Sequence, residues 1–127
     1  MRKEIDYWYE QAKADLKSAT DLLKTENFYA SVFFSQQTAE KSLKSLYIKE
    51  KRTSVKTHNL VYLARELNAP QNIINDCAEL TPDYITTRYP DAATGAPFES
   101  YTRESAERHL MMAEEVRKWV EIMLLMK

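Results

Sequence analysis

One glycine, one cysteine and four prolines are all that this chain of 127 residues holds of those types. Tight hairpins, strand bulges and phosphate-cradling loops lean on the freedom of glycine at positive φ. With Gly95 alone, neither the dinucleotide fingerprint nor the P-loop can be written, and an all-helical chain is the natural outcome. Cys77 by itself closes no internal disulfide and furnishes no cysteine-rich zinc site, which fits a reducing compartment. Long apolar runs are missing too: the longest, Ile122 to Met126, is far too short to span a bilayer. The first residues, Met-Arg-Lys-Glu-Ile-Asp, alternate charge with apolar side chains, unlike a secretion signal. The expectation is a cytoplasmic protein with no membrane partner. Nor does one sign of charge prevail. A formal net charge of -1 and a pI near 6.1 argue against coating nucleic acid through a global positive field.

What the chain does have is helical periodicity. Its length and lack of internal repeats predict a single domain over 1–127, built as an all-α, antiparallel up-and-down bundle of four to five helices. Ile5, Trp8, Ala12, Leu16, Ala19 and Leu23 recur at steps of three and four, predicting a helix from about Glu4 to Lys24. Asn27 is placed to cap a second helix from Phe28 to about Lys49. The connection between them is so short that the two must be antiparallel neighbours. After a polar loop, Thr57 is placed to cap a short third helix containing Leu60 and Leu63, Pro70 to open a fourth through Leu80, and Thr81-Pro82 to mark a kink or restart. Tyr89 to Glu99 reads as a loop. The last helix is expected from near Ser100, burying Ala106, Leu110, Ala113, Val116, Val120 and Met123.

The segment Ser31 to Tyr47 is unusual because polar residues fall where a helix should be apolar. Helical spacing puts Phe33, Gln36, Gln37, Glu40, Leu43, Lys44 and Tyr47 along one broad face. Buried amides and carboxylates are costly unless paired, so Gln36, Gln37 and Glu40 predict a sheltered polar network, a helix-pair interface or a ligand groove. A basic stretch accompanies it: Lys41, Lys44, Lys49, Lys51, Arg52 and Lys56. Such cations either complement a helix C-terminus or contact phosphate.

Taken with Ala14-Asp15-Leu16 and Ala19 before it, Thr57-His58-Asn59-Leu60 and Leu63 after it, and Arg88-Tyr89-Pro90-Asp91 further on, this segment resembles the HEPN family of small helical domains. The resemblance runs over nearly the whole chain. It implies a homodimer, binding of nucleotide or RNA, and a minimal nucleotidyltransferase as partner in a toxin-antitoxin-type system. No cofactor is implied. Family members that cleave RNA carry an arginine and, after four to six intervening residues, a histidine near the start of a helix. Arg103 and His109 fit that window. There the histidine would move a proton and the arginine would stabilise charge on the phosphate, without a metal. This sequence departs from the toxin pattern at Glu104, where a smaller polar residue is common, and at Met111, where a tyrosine is. The two side chains also lie about 120° apart around a regular helix and about 9 Å apart along it, so they meet only through an irregular first turn or across a dimer. The alternative is a solvated helix face.

Arg88 either closes its helix by pairing with Glu40 or Asp15, or grips a phosphate together with Lys41 and Lys44. His58 recurs in the family. Its position predicts packing on the second helix with a ring nitrogen bonded to backbone, and no metal site. The functions left open are a metal-independent ribonuclease, a non-catalytic nucleotide-binding subunit, and a helical oligomerisation module.

Overall fold

The computed structural model describes residues 2–90 and 95–126. In chain order the helices are α1 (Arg2–Lys24), α2 (Phe28–Lys51), α3 (Leu60–Glu66), α4 (Gln71–Leu80), α5 (Asp83–Thr86) and α6 (Arg103–Leu125), with a 3₁₀ turn at Pro97–Glu99 before the last. No strand occurs among the described residues, and the architecture is an all-α bundle. Asp91 of the Arg88-Tyr89-Pro90-Asp91 motif lies outside the described residues.

Near-absence of glycine leaves its mark on the helix ends. Glu26 and Asn68 take positive φ of 64° and 55° just past α1 and α3. At each, two backbone N–H groups fold back onto the last turn: Asn27 to Leu22 O and Glu26 to Leu23 O, then Ala69 to Ala64 O and Asn68 to Arg65 O. Both are Schellman caps without the usual glycine. Arg52, at φ 61°, ends α2 in the left-handed region by donating its N–H to Ile48 O. N-caps differ from the sequence expectation. Asn27 makes no side-chain cap, Asn59 rather than Thr57 accepts the Tyr62 N–H to start α3, and Pro70 stands at the cap position itself. Helix α6 begins three residues later than expected because Thr102 and Ser105 form a reciprocal capping box there.

Two ends of the bundle can be read from its contacts. At one, the Arg103 guanidinium reaches Glu26 at 2.8 Å and lies over the Phe28 ring, so the start of α6 meets the α1–α2 connection. At the other, Lys49 donates to Met123 O, Leu124 O and Met126 O, joining the end of α2 to the end of α6. Helices α2 and α6 therefore run parallel, α1 runs against both, and α3 to α5 carry the chain back between them.

Helix α2 is the hub, packing against α1, α3, α5, α6 and the 3₁₀ turn. It is consequently buried nearly all round, from Ser31 to Ile48. Small residues make this feasible: Ala12 and Ala19 of α1 and Ser31 and Ser35 of α2 are all fully buried, and the Ser31 hydroxyl donates to Ala19 O at 2.8 Å. The α1 stripe is accordingly shallower than its pattern implied, since Ile5, Trp8, Leu16 and Leu23 are only half-buried. The main core gathers Leu43, Leu46, Leu60, Leu63, Ile73, Cys77, Leu80, Val116 and Val120 from α2, α3, α4 and α6.

Candidate functional site

Polar residues in the interior form two centres, one on either side of α5. The first is organised by Glu40, in mid-α2 and 3% exposed. Its carboxylate accepts from Gln36 Nε2 at 3.1 Å, from Lys44 Nζ at 3.0 Å and from His58 Nδ1 at 3.0 Å. Gln37 extends the chain by donating to Gln36 Oε1 at 2.7 Å. A carboxylate engaged by an ammonium and an amide can only accept, so the His58 Nδ1 carries the hydrogen and, in the neutral ring, Nε2 keeps its lone pair. His58 thus bonds a carboxylate, where a backbone partner was expected.

The imidazole lies flat on Tyr84 of α5, with ring centroids 3.7 Å apart and planes 14° from parallel. Its side chain remains 50% exposed. The Arg88 guanidinium lies 4.9 Å from the same Tyr84 ring, 5.4 Å from Tyr89 and 5.8 Å from Phe33. Its described partners are these aromatic faces, not Glu40 or Asp15 as one sequence reading had it. The reason is that both carboxylates are already occupied. Asp15 is buried in α1 and accepts from Lys41 at 2.6 Å and Gln11 at 2.9 Å. Lys44, besides pairing with Glu40, sits 5.4 Å from the Trp8 ring. The ammonium groups of Lys41 and Lys44 therefore neutralise interior carboxylates, whereas Arg88 and the His58 ring reach solvent.

The second centre lies between α5 and α6. His109 is 7% exposed, and its Nδ1 comes within 2.6 Å of Asp83 Oδ2. The contact is close but poorly aligned, so neither atom completes a regular hydrogen bond. Asp83 Oδ1 accepts from the Tyr101 hydroxyl at 3.0 Å, and that hydroxyl also meets Thr86 Oγ1 at 2.6 Å. Burial is the main force holding the Tyr101 phenol above its usual range. Arg103 takes no part: it is on the surface, held by Glu26. Within one chain the structure does not bring Arg103 and His109 together. Sequence spacing also missed Asp83, Tyr84 and Tyr101, whose roles depend on α5 crossing α2 and α6. Among the described residues, no three His, Cys, Asp or Glu side chains are grouped so as to hold a metal, and no helix is long and apolar enough to cross a membrane.

A family profile described as "HEPN domain" matches residues 5–123. A protein of Methanocaldococcus jannaschii, named as a candidate toxin, is 31% identical over 90% of this chain and 84% of its own length. Among solved structures, a protein of Thermus thermophilus aligns with a TM-score of 0.86 at 30% identity, over 92% of this chain and 95% of that one. An archaeal HEPN homologue aligns at 0.80 and 30% identity, covering 92% and 94%. A HEPN domain protein of Thermotoga maritima shares the fold at 0.73 and 23% identity, covering 93% and 97%.

Proposed function

Since the chain belongs to the HEPN family, we propose that it is a toxin-type member that acts as a homodimer, binds nucleotide or single-stranded RNA, and has a minimal nucleotidyltransferase as its companion. The observation that carries this reading is the surface where Arg88 and His58 both meet the Tyr84 ring. A guanidinium spread over aromatic rings is held in place without losing its forked donors, which suits a phosphate. Lys44 supports the site from behind, through Glu40, while Lys41 is engaged by Asp15. Titration of the purified protein with ATP and with short single-stranded RNA is the test. Saturable, salt-sensitive binding that Arg88→Glu weakens at least tenfold is expected, and absence of binding at low salt removes the reading. A small nucleotidyltransferase gene beside this one would support the companion role.

One observation favours a second reading, metal-independent RNA cleavage by Arg103 and His109. The Asp83 carboxylate beside His109 would orient that ring and stabilise its protonated form. A second copy would have to supply the arginine. Arg103→Ala and His109→Ala should then each lower cleavage, and a wild-type rate in both variants dismisses this pair.

A further inference from the structure

We propose that His58, oriented by Glu40, is a proton-transfer residue that turns the Arg88 surface into a second, independent site for cleaving single-stranded RNA. The inference rests on the RNA-binding reading above and names its chemistry. Four features of the geometry converge. The buried Glu40 carboxylate takes the Nδ1 hydrogen at 3.0 Å and fixes the tautomer. Stacking on Tyr84 fixes the ring plane. Half the side chain is exposed, so a ligand can reach the ring. Finally, the Arg88 guanidinium and the imidazole share one tyrosine, which keeps them no farther apart than the sum of their two distances to it.

A base, its orienting carboxylate and a phosphate-holding cation are the parts needed for attack by a ribose 2′-hydroxyl. In the step proposed, Nε2 of His58 takes the 2′-hydroxyl proton as the 2′-oxygen bonds to the adjacent phosphorus. The bond from phosphorus to the 5′-oxygen breaks, and that oxygen leaves with a proton from water. The products are a 2′,3′-cyclic phosphate and a 5′-hydroxyl, and solvent afterwards removes the proton from His58. Arg88 balances the charge gathering on the phosphoryl oxygens. Groups facing the ring are Glu40 from α2, Lys44 behind it, and Tyr84 and Arg88 from α5 and the residues after it. No metal or redox partner is required.

Two probes separate this inference from the binding reading: a short single-stranded RNA, and the same oligomer with every 2′-hydroxyl methylated, which binds but cannot react. Wild type should cleave the first to cyclic-phosphate ends. In an Arg103→Ala background, which removes the other candidate pair, His58→Ala should lower kcat about 100-fold or more, a loss well beyond whatever it costs in Kd for the methylated oligomer. Glu40→Gln, a change to a positioning residue, should cost about 10-fold in kcat, a larger effect than on KM. If that variant does not fold, His58→Gln serves instead, since it retains a donor toward Glu40 but has no nitrogen that titrates. Full cleavage by both His58 variants in the Arg103→Ala background overturns the inference. So does a wild type that binds the methylated oligomer yet leaves RNA intact, which spares the binding reading. A wild type that binds neither probe overturns both.

Discussion

Asp83 and His109 face each other at 2.6 Å between α5 and α6, both almost wholly out of solvent. Removing one member of such a pair strands the other. His109→Ala is therefore expected to destabilise the fold by about 3 kcal/mol, because the Asp83 carboxylate would keep the Tyr101 hydroxyl alone among its described partners. Tyr101→Phe, which removes one donor to Asp83, should cost about 1 kcal/mol. Urea denaturation of both variants checks the order. A His109→Ala protein as stable as wild type would mean that the close contact contributes little. Any loss of RNA cleavage in that variant has to be read against its folded fraction.

How far this arrangement was legible from sequence depends on the range of each contact. The α1 and α6 stripes, the tight α1–α2 connection and the breaks near Asn68 and Pro82 follow from local rules of period and cap. The polar face of α2 also announced itself, because Gln36 and Glu40 sit a turn apart and bond at that spacing. What α2 faces could not be read. A helix wrapped on nearly every side has no single apolar stripe, and the pattern alone does not say which neighbour meets Lys44 or Glu40. His58 is separated from Glu40 by 18 residues and Tyr84 from His58 by 26, so their meeting is set by the path of α3 to α5. Arg103 and His109 were drawn together by a motif, yet the helix sends one to Glu26 and the other inward.

Asp76 of α4 predicts a stability that depends on pH. Burial first, then the Glu115 and Glu79 carboxylates, raise its pKa from 3.8 to about 7. Below pH 4 the carboxyl is protonated in both folded and unfolded chains and has no effect. Between those two values the unfolded chain releases the proton while the folded one keeps it, so stability falls as pH rises through that window and is flat above it. Asp76→Asn should be silent at pH 4 and stabilise the protein at pH 8 by about 1 kcal/mol, allowing for solvent screening of a partly exposed group. Thermal unfolding of wild type and variant at the two pH values tests the sign. A variant less stable than wild type at pH 8 contradicts it.

Cys77 is fully buried in the core, and burial, with Asp76 adding to it, pushes its thiol up to about 12. The reactive species is the thiolate, so a folded chain near neutral pH offers almost none to a thiol reagent. Ellman's reagent should leave native protein unlabelled for hours and label it at once in denaturant. Labelling at the same rate in both conditions would place the thiol within reach of solvent.

Lys49 illustrates what one cation of the basic stretch does in the folded chain. Its ammonium donates to Met123 O at 3.1 Å, Leu124 O at 3.0 Å and Met126 O at 2.6 Å, so it closes the C-terminal end of α6 from a neighbouring helix. Met123 O also accepts the Met126 N–H, whereas the Leu124 and Met126 carbonyls lie past the last intrahelical bond, and a positive charge there also opposes the negative end of the helix dipole. Lys49→Met keeps the length of the side chain but removes both effects. The expected cost is about 1 to 2 kcal/mol, concentrated in the last turn of α6. Hydrogen exchange can locate it: amides from Ile122 to Leu125 should lose protection in the variant, while those of α1 and mid-α2 keep theirs. Uniform loss along all three long helices would instead make Lys49 a global support, and unchanged exchange at Ile122 to Leu125 would show that the helix end is held by packing alone.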